Sequence, residues 1–222
     1  MHFLTSYENL RHDSEILALI KAANDVLGAI GFTEHGMAHC VKTGTDAERI
    51  LATLGYPERE CELVKIAGLI HDIGNTVNRT NHAHNGALLA FSLLKERNFP
   101  IDEVIAITTA IGHHDEKTAA PVTPIAAALI LADKSDVRAT RVRNKNDIYT
   151  DIHDRVNYAV TESKLTIIKE RRLIILELEI DTYICPVMEY FEIFLERMVL
   201  CKKSAAFLGC DFELIINDTR LL

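Results

Sequence analysis

The spacing of apolar residues changes once along this chain of 222 residues, and the change limits the folds open to it. Up to about residue 163, apolar side chains recur every three or four positions, which is typical of amphipathic helices. From Leu165 to Ile180 the sequence is LTIIKERRLIILELEI, where charged residues separate two β-rich runs. In the second run the side chains alternate with a period near two, which predicts a half-buried strand, and the two runs together predict a hairpin. We therefore predict a mainly α fold, with a helical bundle over 1–163 and a small C-terminal ββαβ (α+β) appendage over 164–222.

Glycine, proline and asparagine divide the bundle into helices. Their predicted ranges are 8–30, 34–54, 58–73, 82–97, 101–112, 124–134 and 146–163. In the appendage, a long helix is predicted over 183–205 and a third strand over 211–217. Residues 124–134 are almost all apolar, so we expect this helix to lie at the centre of the bundle.

The overall composition is that of an ordinary globular protein, with 48% hydrophobic and 25% charged residues. The formal net charge is −8. Because binding to nucleic acid depends on an excess of Lys and Arg that neutralises phosphates, we do not expect nucleic acid as a partner. A small anionic substrate remains compatible with this charge if cations or metal ions gather at one place.

Cysteine usage and hydropathy bear on the compartment. The five cysteines form no C-x-x-C pair, which argues against a disulfide framework or a thiolate zinc site. The first residues lack a basic start followed by an apolar run, so no signal peptide is expected. No apolar stretch approaches the roughly 18 residues of a membrane-spanning helix. We expect a cytoplasmic protein with no membrane partner, and we expect the edges of its small sheet to pair in a homodimer.

Histidine is the unusual component of this sequence. The chain has ten, of which seven lie between residues 35 and 114. His71-Asp72 lies in the apolar run AGLIHDIG, where burial of both groups is unfavourable unless they pair or bind a cation. Further candidate ligands fall at predicted helix ends, which can direct side chains into one cavity: His35 or His39, His82 or His84, His113, His114 and Asp133. Imidazole and carboxylate donors suit Fe, Mn, Zn, Co or Ni and do not distinguish among them.

The order His39, His71-Asp72, Asp133 resembles the signature of the HD-domain metal-dependent phosphohydrolases, over residues 35–138. The resemblance implies that the helical bundle over 1–163 is of the HD type. The local sequences HGMAHCV, AGLIHDIGN and ILADKSDVR are similar to the motifs of that family. The histidines in HAHNGALL and IGHHDE resemble its dinuclear, six-ligand subset, which includes bacterial diadenosine-tetraphosphate hydrolases and the cyclic-di-GMP phosphodiesterases with a GYP motif. Here KTAAP follows GHHDE in place of GYP, which argues against cyclic di-GMP as the substrate.

The resemblance implies two divalent metal ions that share one ligand. The first ion would be bound by His39, His71, Asp72 and Asp133. The second would be bound by Asp72, His82, His113 and His114. His39 is preferred to His35 because Cys40-Val41 and a helical run follow it. His82 is preferred to His84 because Gly86 lies four residues further on, and both alternatives stay open.

This ligand set implies hydrolysis of a phosphate ester or anhydride by a metal-activated water that Asp72 orients. The leaving group needs a proton or a cation, and Lys134 is adjacent to Asp133. The basic sequence DKSDVRATRVRNK stands out in an acidic chain and could attract a nucleotide-like small molecule. We expect Lys134 with Arg138 or Arg141 to hold the substrate phosphates, since guanidinium groups match phosphate oxygens.

Two other functions stay open on the sequence. A regulatory HD domain would bind a nucleotide without turnover, but such sensors commonly lack one or more ligands, and here each ligand position has a suitable residue. A di-iron oxygenase of HD type would use a similar ligand set with dioxygen. The basic sequence after Asp133 favours phosphate chemistry over this alternative.

Overall fold

The computed structural model describes residues 5–143, 148 and 151–222. Its helices are α1 (Tyr7–Arg11), α2 (Ser14–Ala29), α3 (Met37–Leu54), α4 (Glu58–Ile70), α5 (His82–Glu96), α6 (Ile101–Gly112), α7 (Pro124–Lys134), α8 (Ile152–Ala159) and α9 (Val187–Phe207). Its strands are β1 (Val160–Ile168), β2 (Leu173–Ile180), β3 (Asp211–Ile216) and β4 (Thr219–Arg220). The prediction of a mainly helical fold with a small C-terminal α+β segment is confirmed, and helices α3 to α7 agree with their predicted ranges to within one turn.

The helix predicted over residues 8–30 is wrong as a single element. It is divided into α1 and α2, because Asp13 has an extended backbone and caps the second helix. The Asp13 side chain accepts hydrogen bonds from the backbone N–H groups of Glu15 and Ile16. A short acidic side chain that accepts from the backbone favours a helix start over a helix interior.

The helix predicted over residues 146–163 is also partly wrong. Residues 144–147 and 149–150 lie outside the described residues, and α8 spans Ile152–Ala159. Residues 160–163 belong to strand β1, where Ser163 pairs with Leu178 of β2. The β-branched residues Val160 and Thr161 favour a strand, and the cross-strand pairing stabilises it.

Two glycines bring helices α3 and α4 into close contact. A Cβ atom on Gly68 would lie 2.5 Å from the Cα atom of Gly44, and one on Gly44 would lie 2.6 Å from the backbone oxygen of Lys65. Helix α7 contacts both α3 and α4, and its residues from Ile125 to Lys134 are buried. The expected central position of this helix is confirmed. The close crossing places the start of α3 beside the end of α4, where the site lies.

The sheet has the strand order β1-β2-β3-β4. Strands β1 and β2 form the predicted antiparallel hairpin, and β2 pairs in parallel with β3 after the connection through α9. The short strand β4, which the sequence did not predict, is antiparallel to β3. Helix α9 contacts α7 as well as β2 and β3, so buried residues of the bundle and of the sheet belong to one core.

Two further expectations concern assembly and membranes. Strands β1 and β4 form the edges of the sheet, and the homodimer through such an edge stays a prediction, as does the domain boundary at residues 163–164. Within the described ranges, none of the helices combines the length and the apolar character needed to cross a bilayer.

Candidate metal centre

Helix ends bring six histidine and aspartate side chains to one buried place. They are His39 of α3, His71 and Asp72 directly after α4, His82 at the start of α5, His114 after α6, and Asp133 in the last turn of α7. A Cβ atom on Gly74 would lie 2.0 Å from the backbone oxygen of His82, so this glycine permits the approach of α5 to the turn after Asp72. The sequence places these residues far apart, and helix packing brings them together.

Each of the four histidines is anchored through Nδ1. The Nδ1 partners are Asp136 Oδ2 for His39 (2.8 Å), the backbone oxygen of Gly68 for His71 (2.8 Å), that of Arg79 for His82 (3.1 Å) and that of Ile111 for His114 (2.6 Å). Because all four partners are oxygens, Nδ1 carries the proton and donates. The lone pair of Nε2 is then directed at the centre of the cluster, as in histidines that bind metals.

Asp72 lies between two pairs of histidines. Its Oδ2 atom is 3.3 Å from Nε2 of His71 and 3.8 Å from Nε2 of His39. Its Oδ1 atom is 3.7 Å from Nε2 of His82 and 3.8 Å from Nε2 of His114. Asn75 donates to this Oδ1 atom at 2.9 Å and holds the carboxylate in place. One carboxylate therefore has a separate oxygen for each histidine pair.

Asp133 joins the first histidine pair to a lysine. Its Oδ1 atom is 3.2 Å from Nε2 of His39 and 3.7 Å from Nε2 of His71. Its Oδ2 atom is 2.7 Å from Nζ of Lys134. The carboxylate thus offers one oxygen to the centre, while the other is neutralised by the lysine.

The polar atoms of this cluster fit a divalent cation. The Nε2 atoms of His39 and His71 are buried and have no hydrogen-bond partner in the described part of the chain. The Nε2 atoms of His82 and His114 lie 3.2 Å apart, and neither can donate to the other while both protons are on Nδ1. Nε2 of His82 has a donor in Nη1 of Arg79, at 3.2 Å, whereas those of His39 and His71 have none among the described residues. Lone pairs left without a donor are unfavourable in a buried place, and a bound metal ion removes that penalty.

Three overlapping groups have ligand atoms within 4.8 Å of one another: His39, His71 and Asp72; His71, His114 and Asp133; and Asp72, His82 and His114. These groups contain six of the seven residues expected to bind metal. His113 is in none of them; it is half-buried, and its Nδ1 atom has no hydrogen-bond partner among the described residues. The ligand role of His113 stays a prediction.

The structure also separates the two pairs of alternative ligands. His82 is buried in the cluster, whereas His84 is exposed to solvent. His39 is a member of the cluster, whereas His35 lines the neighbouring cavity with its Nδ1 atom 2.7 Å from the backbone oxygen of Thr33.

Opposite charges outweigh burial at His71, Asp72 and Asp133, whereas burial lowers the pKa of His82 to about 4. Burial alone lowers the pKa of His71, but Asp72 and Asp133 raise it, and without a metal ion the resulting pKa is about 10. A bound cation would take the place of the Nε2 proton. Burial raises the carboxyl pKa values of both aspartates, yet His71 holds the pKa of Asp72 well below its usual range, and Lys134 does the same for Asp133. The aspartates are therefore ionised at neutral pH, and their field favours a cation between them.

Cationic side chains line the cavity beside these ligands. They are Arg79, Lys134, Arg141 and Arg197. Lys134 and Arg141 were expected from the sequence. Arg138 was expected too, but its guanidinium binds both carboxylate oxygens of Asp136 at 2.5 and 3.0 Å, and it is not among the residues that line this cavity. The role of Arg138 in phosphate binding stays a prediction.

Sequence reasoning missed several residues of the site. Asp136 supports His39, and its spacing three residues after Asp133 was the available signal. Arg79 lies in the polar segment before α5, which showed no pattern that pointed to the site. Glu116 contacts both Lys134 and Arg197, and only the packing of α9 against α7 brings Arg197 to the cavity.

A helical bundle that converges histidines and aspartates from its helix ends belongs to the class of metal-binding helical domains. The sequence profile of the HD domain matches residues 36–157, more than half of the chain, and the chain belongs to the HD-domain family. The resemblance drawn from His39, His71-Asp72 and Asp133 is thereby confirmed. Strands β1 to β4 and helix α9 lie outside the matched residues.

Two known proteins are similar to this chain. The uncharacterized protein MJ1020 of Methanocaldococcus jannaschii is 24% identical over 159 residues, which are 62% of this chain and 61% of that protein. The match thus spans less than two thirds of that relative. The crystal structure of a predicted HD superfamily hydrolase from an uncultured Thermotogales bacterium has a TM-score of 0.45 and 25% identity, and covers 57% of this chain and 69% of that one.

Proposed function

We propose that this protein is a metal-dependent phosphohydrolase that cleaves a phosphate ester or anhydride of a nucleotide-like small molecule. The observation that carries the proposal is the position of Asp72, whose two oxygens face different pairs of histidine Nε2 atoms. A carboxylate shared in this way is the ligand expected between two divalent ions. Bound there, the ions would supply the Lewis acidity that activates water and neutralises charge on phosphoryl oxygens.

The chain's own residues orient the reactants. Asp72 accepts a hydrogen bond from Asn75, which keeps its carboxylate in position to orient the attacking water. Asp136 and the backbone acceptors keep the histidine rings from rotating away from the centre. A rigid ligand set of this kind places the nucleophile without reorganisation during the reaction.

Lys134 acts on the leaving group as a cation in this proposal. It is buried, and burial lowers its pKa, but the charges of Asp133 and Glu116 raise the pKa above its ordinary value. A lysine held in this way keeps its proton at neutral pH. It therefore neutralises charge on the leaving oxygen and holds a phosphate, together with Arg141, whose Nε and Nη1 atoms are fixed by backbone oxygens at 2.8 and 2.5 Å.

The test is hydrolysis by the full chain after loading with Mn²⁺, Fe²⁺, Zn²⁺, Co²⁺ or Ni²⁺, with p-nitrophenyl phosphate, mononucleotides and dinucleoside polyphosphates as substrates. Asp72→Asn should lower kcat by at least about 100-fold, which is typical for the loss of one electrostatic group of an active site. The reason is that Asp72 would both hold the metal and orient the water. Asp46→Asn is the matched control, because Asp46 is also buried but pairs with Lys42 and Arg49 away from the site.

The outcomes separate the proposal from its alternatives. Hydrolysis that Asp72→Asn leaves intact contradicts the mechanism. A nucleotide that binds tightly without turnover in the metal-loaded chain favours the regulatory domain instead. Oxygen consumption by the iron-loaded chain, without phosphate release from any substrate, favours the oxygenase.

A further inference from the structure

Helix α9, which lies outside the residues matched by the HD profile, places a cationic side chain beside the candidate metal centre. Arg197 lies in the middle of α9 and is among the residues that line the cavity, along with Asp72, His82, His114 and Asp133. The HD profile ends at residue 157, so this arginine belongs to the C-terminal segment that contains the sheet. Its side chain is 25% exposed, which leaves it accessible from the cavity mouth.

Two contacts hold the arginine in place. Its guanidinium lies over the ring of Phe194, with the central carbon 4.3 Å from the ring centroid. Its Nε atom forms an ion pair with Oε1 of Glu116. Nε is the nitrogen that contacts Glu116, and within the described ranges neither terminal nitrogen makes a hydrogen bond, so both stay available as donors.

Glu116 connects this arginine to the metal ligands. Nζ of Lys134 is 3.5 Å from Glu116 Oε1 and 2.7 Å from Asp133 Oδ2. The charges therefore alternate in a row: Asp133, Lys134, Glu116, Arg197. Lys134 is at the ligand end of this row, whereas Arg197 is two ion pairs further out. A phosphoryl group bound at the histidines would lie beside Lys134, and a second anionic group linked to it would extend along this row towards Arg197.

Arg141 and Arg79, which also line the cavity, have fewer terminal nitrogens available to bind a second anionic group. Arg141 uses Nε and Nη1 for the backbone oxygens of Glu34 and Asp136. Arg79 has Nη1 3.2 Å from Nε2 of His82, and its guanidinium lies 5.1 Å from the ring of Phe32. Arg197 is the cation on the α9 side of the cavity, in the region that the structure describes.

We propose that Arg197 binds a second anionic group of the substrate, adjacent to the phosphoryl group at the histidines, and makes the site selective for linked phosphates over a single one. Glu116 is the positioning residue that sets both Arg197 and Lys134. This inference rests on the proposed function of the site, which it deepens by giving the substrate two or more linked phosphates. The planar guanidinium of Arg197 matches two phosphate oxygens at once.

The test compares the binding of a monophosphonate with the binding of a diphosphonate, because neither compound is hydrolysed. Calorimetry on the Mn²⁺-loaded full chain measures the affinity for methylenediphosphonate and for methylphosphonate. Arg197→Met keeps most of the packing on Phe194 and removes the charge, and it should weaken diphosphonate binding by about 10- to 100-fold. Binding of methylphosphonate should change by less than about threefold. Lys202→Met is the matched control, since Lys202 is exposed on the same helix, and it should change neither affinity.

Two further variants separate binding from a structural effect. Arg197→Lys should keep part of the preference for diphosphonate, because lysine has the positive charge but lacks the planar guanidinium group. Glu116→Gln should reduce the preference as well, because it releases both cations. Three results would overturn the proposal. Arg197→Met could lose equal affinity for both phosphonates, or it could keep the wild-type preference for diphosphonate. The third is a wild type that does not bind diphosphonate.

Failure of this inference is distinguishable from failure of the proposed function. If the wild type hydrolyses phosphates and Arg197→Met leaves KM for linked phosphates unchanged, the inference fails alone. If Arg197 controls diphosphonate binding but the loaded wild type releases no phosphate from any substrate, the hydrolase proposal fails while the role of Arg197 stands. A rise in KM with little change in kcat supports both.

Discussion

Removal of the Asp136 carboxylate should weaken metal binding, although this residue is not among the expected ligands. Its Oδ2 atom accepts a hydrogen bond from Nδ1 of His39 at 2.8 Å, and both side chains are fully buried. This contact fixes the proton on Nδ1 and directs Nε2 of His39 at Asp72 and Asp133. In Asp136→Ala, the imidazole loses its acceptor and is free to rotate or to move its proton to Nε2.

The size of the effect follows from the geometry. A buried hydrogen bond to a charged group contributes about 1.5–3 kcal/mol, which corresponds to about 10- to 100-fold in affinity. The same range is typical for loss of a partner that orients a histidine ligand. Asp136→Asn keeps an acceptor oxygen without the charge, so its loss of affinity should be smaller than that of the alanine variant.

The assay is titration of the metal-free chain with Mn²⁺ by calorimetry, with circular dichroism to show that the variants fold. Asp46→Ala serves as the control, because Asp46 lies on the same helix as His39 and pairs with Lys42 and Arg49 instead. A folded Asp136→Ala that binds Mn²⁺ as tightly as the wild type would refute the argument that this carboxylate orients His39.

Three other expectations concern stability. Gly68→Ala should lower the free energy of unfolding in urea by about 1–3 kcal/mol and weaken Mn²⁺ binding, because its Cβ would meet the Gly44 backbone at 2.5 Å and separate α3 from α4; an unchanged urea midpoint would contradict this. Asp13→Asn should be less stable than the wild type at neutral pH, because the hydrogen bond from Arg97 holds the pKa of Asp13 below its ordinary 3.8. That stability is present above the unfolded pKa and is lost as the pH falls through the lowered one, so thermal unfolding curves of the two should converge in acid. Chelation of the metal-loaded chain should lower the melting temperature, and Mn²⁺ at about 100 times its Kd should restore about 2.7 kcal/mol; melting that is insensitive to both would argue against the metal centre.

The spacing of apolar residues predicted most helices correctly. It failed where a helix cap or the pairing of strands determined the structure instead. The apolar spacing around residues 8–30 continues through Asp13, yet the cap made by this side chain divides the helix. The sequence pattern predicts a helix through residues 160–163, whereas their strand character depends on pairing with β2. Strand β4 was missed for the same reason, since two residues carry no period and the pairing with β3 creates the strand.

The candidate site divides in a similar way. His71-Asp72 stood out because an apolar run cannot bury them without a partner, and the ligand types followed from the motifs. The sequence left His82 and His84 open, and the structure buries the first and exposes the second. Helix phase together with the approach of α5 to the turn at Gly74 places His82 in the cluster and His84 at the surface, and the ligand role of His82 stays a prediction.

Periodicity and the burial of polar residues in apolar runs are local properties of the chain, so they were sufficient to predict the helical bundle, the later change to strands and the types of ligand. Three features appear only in the tertiary structure: the anchoring of the four cluster histidines at Nδ1, the position of Asp72 between two histidine pairs, and the presence of Arg197 of α9 in the cavity lining. These features depend on how helices distant in sequence pack, and local spacing contains no information about that packing. The same packing aligns Asp133, Lys134, Glu116 and Arg197 in one row of alternating charge.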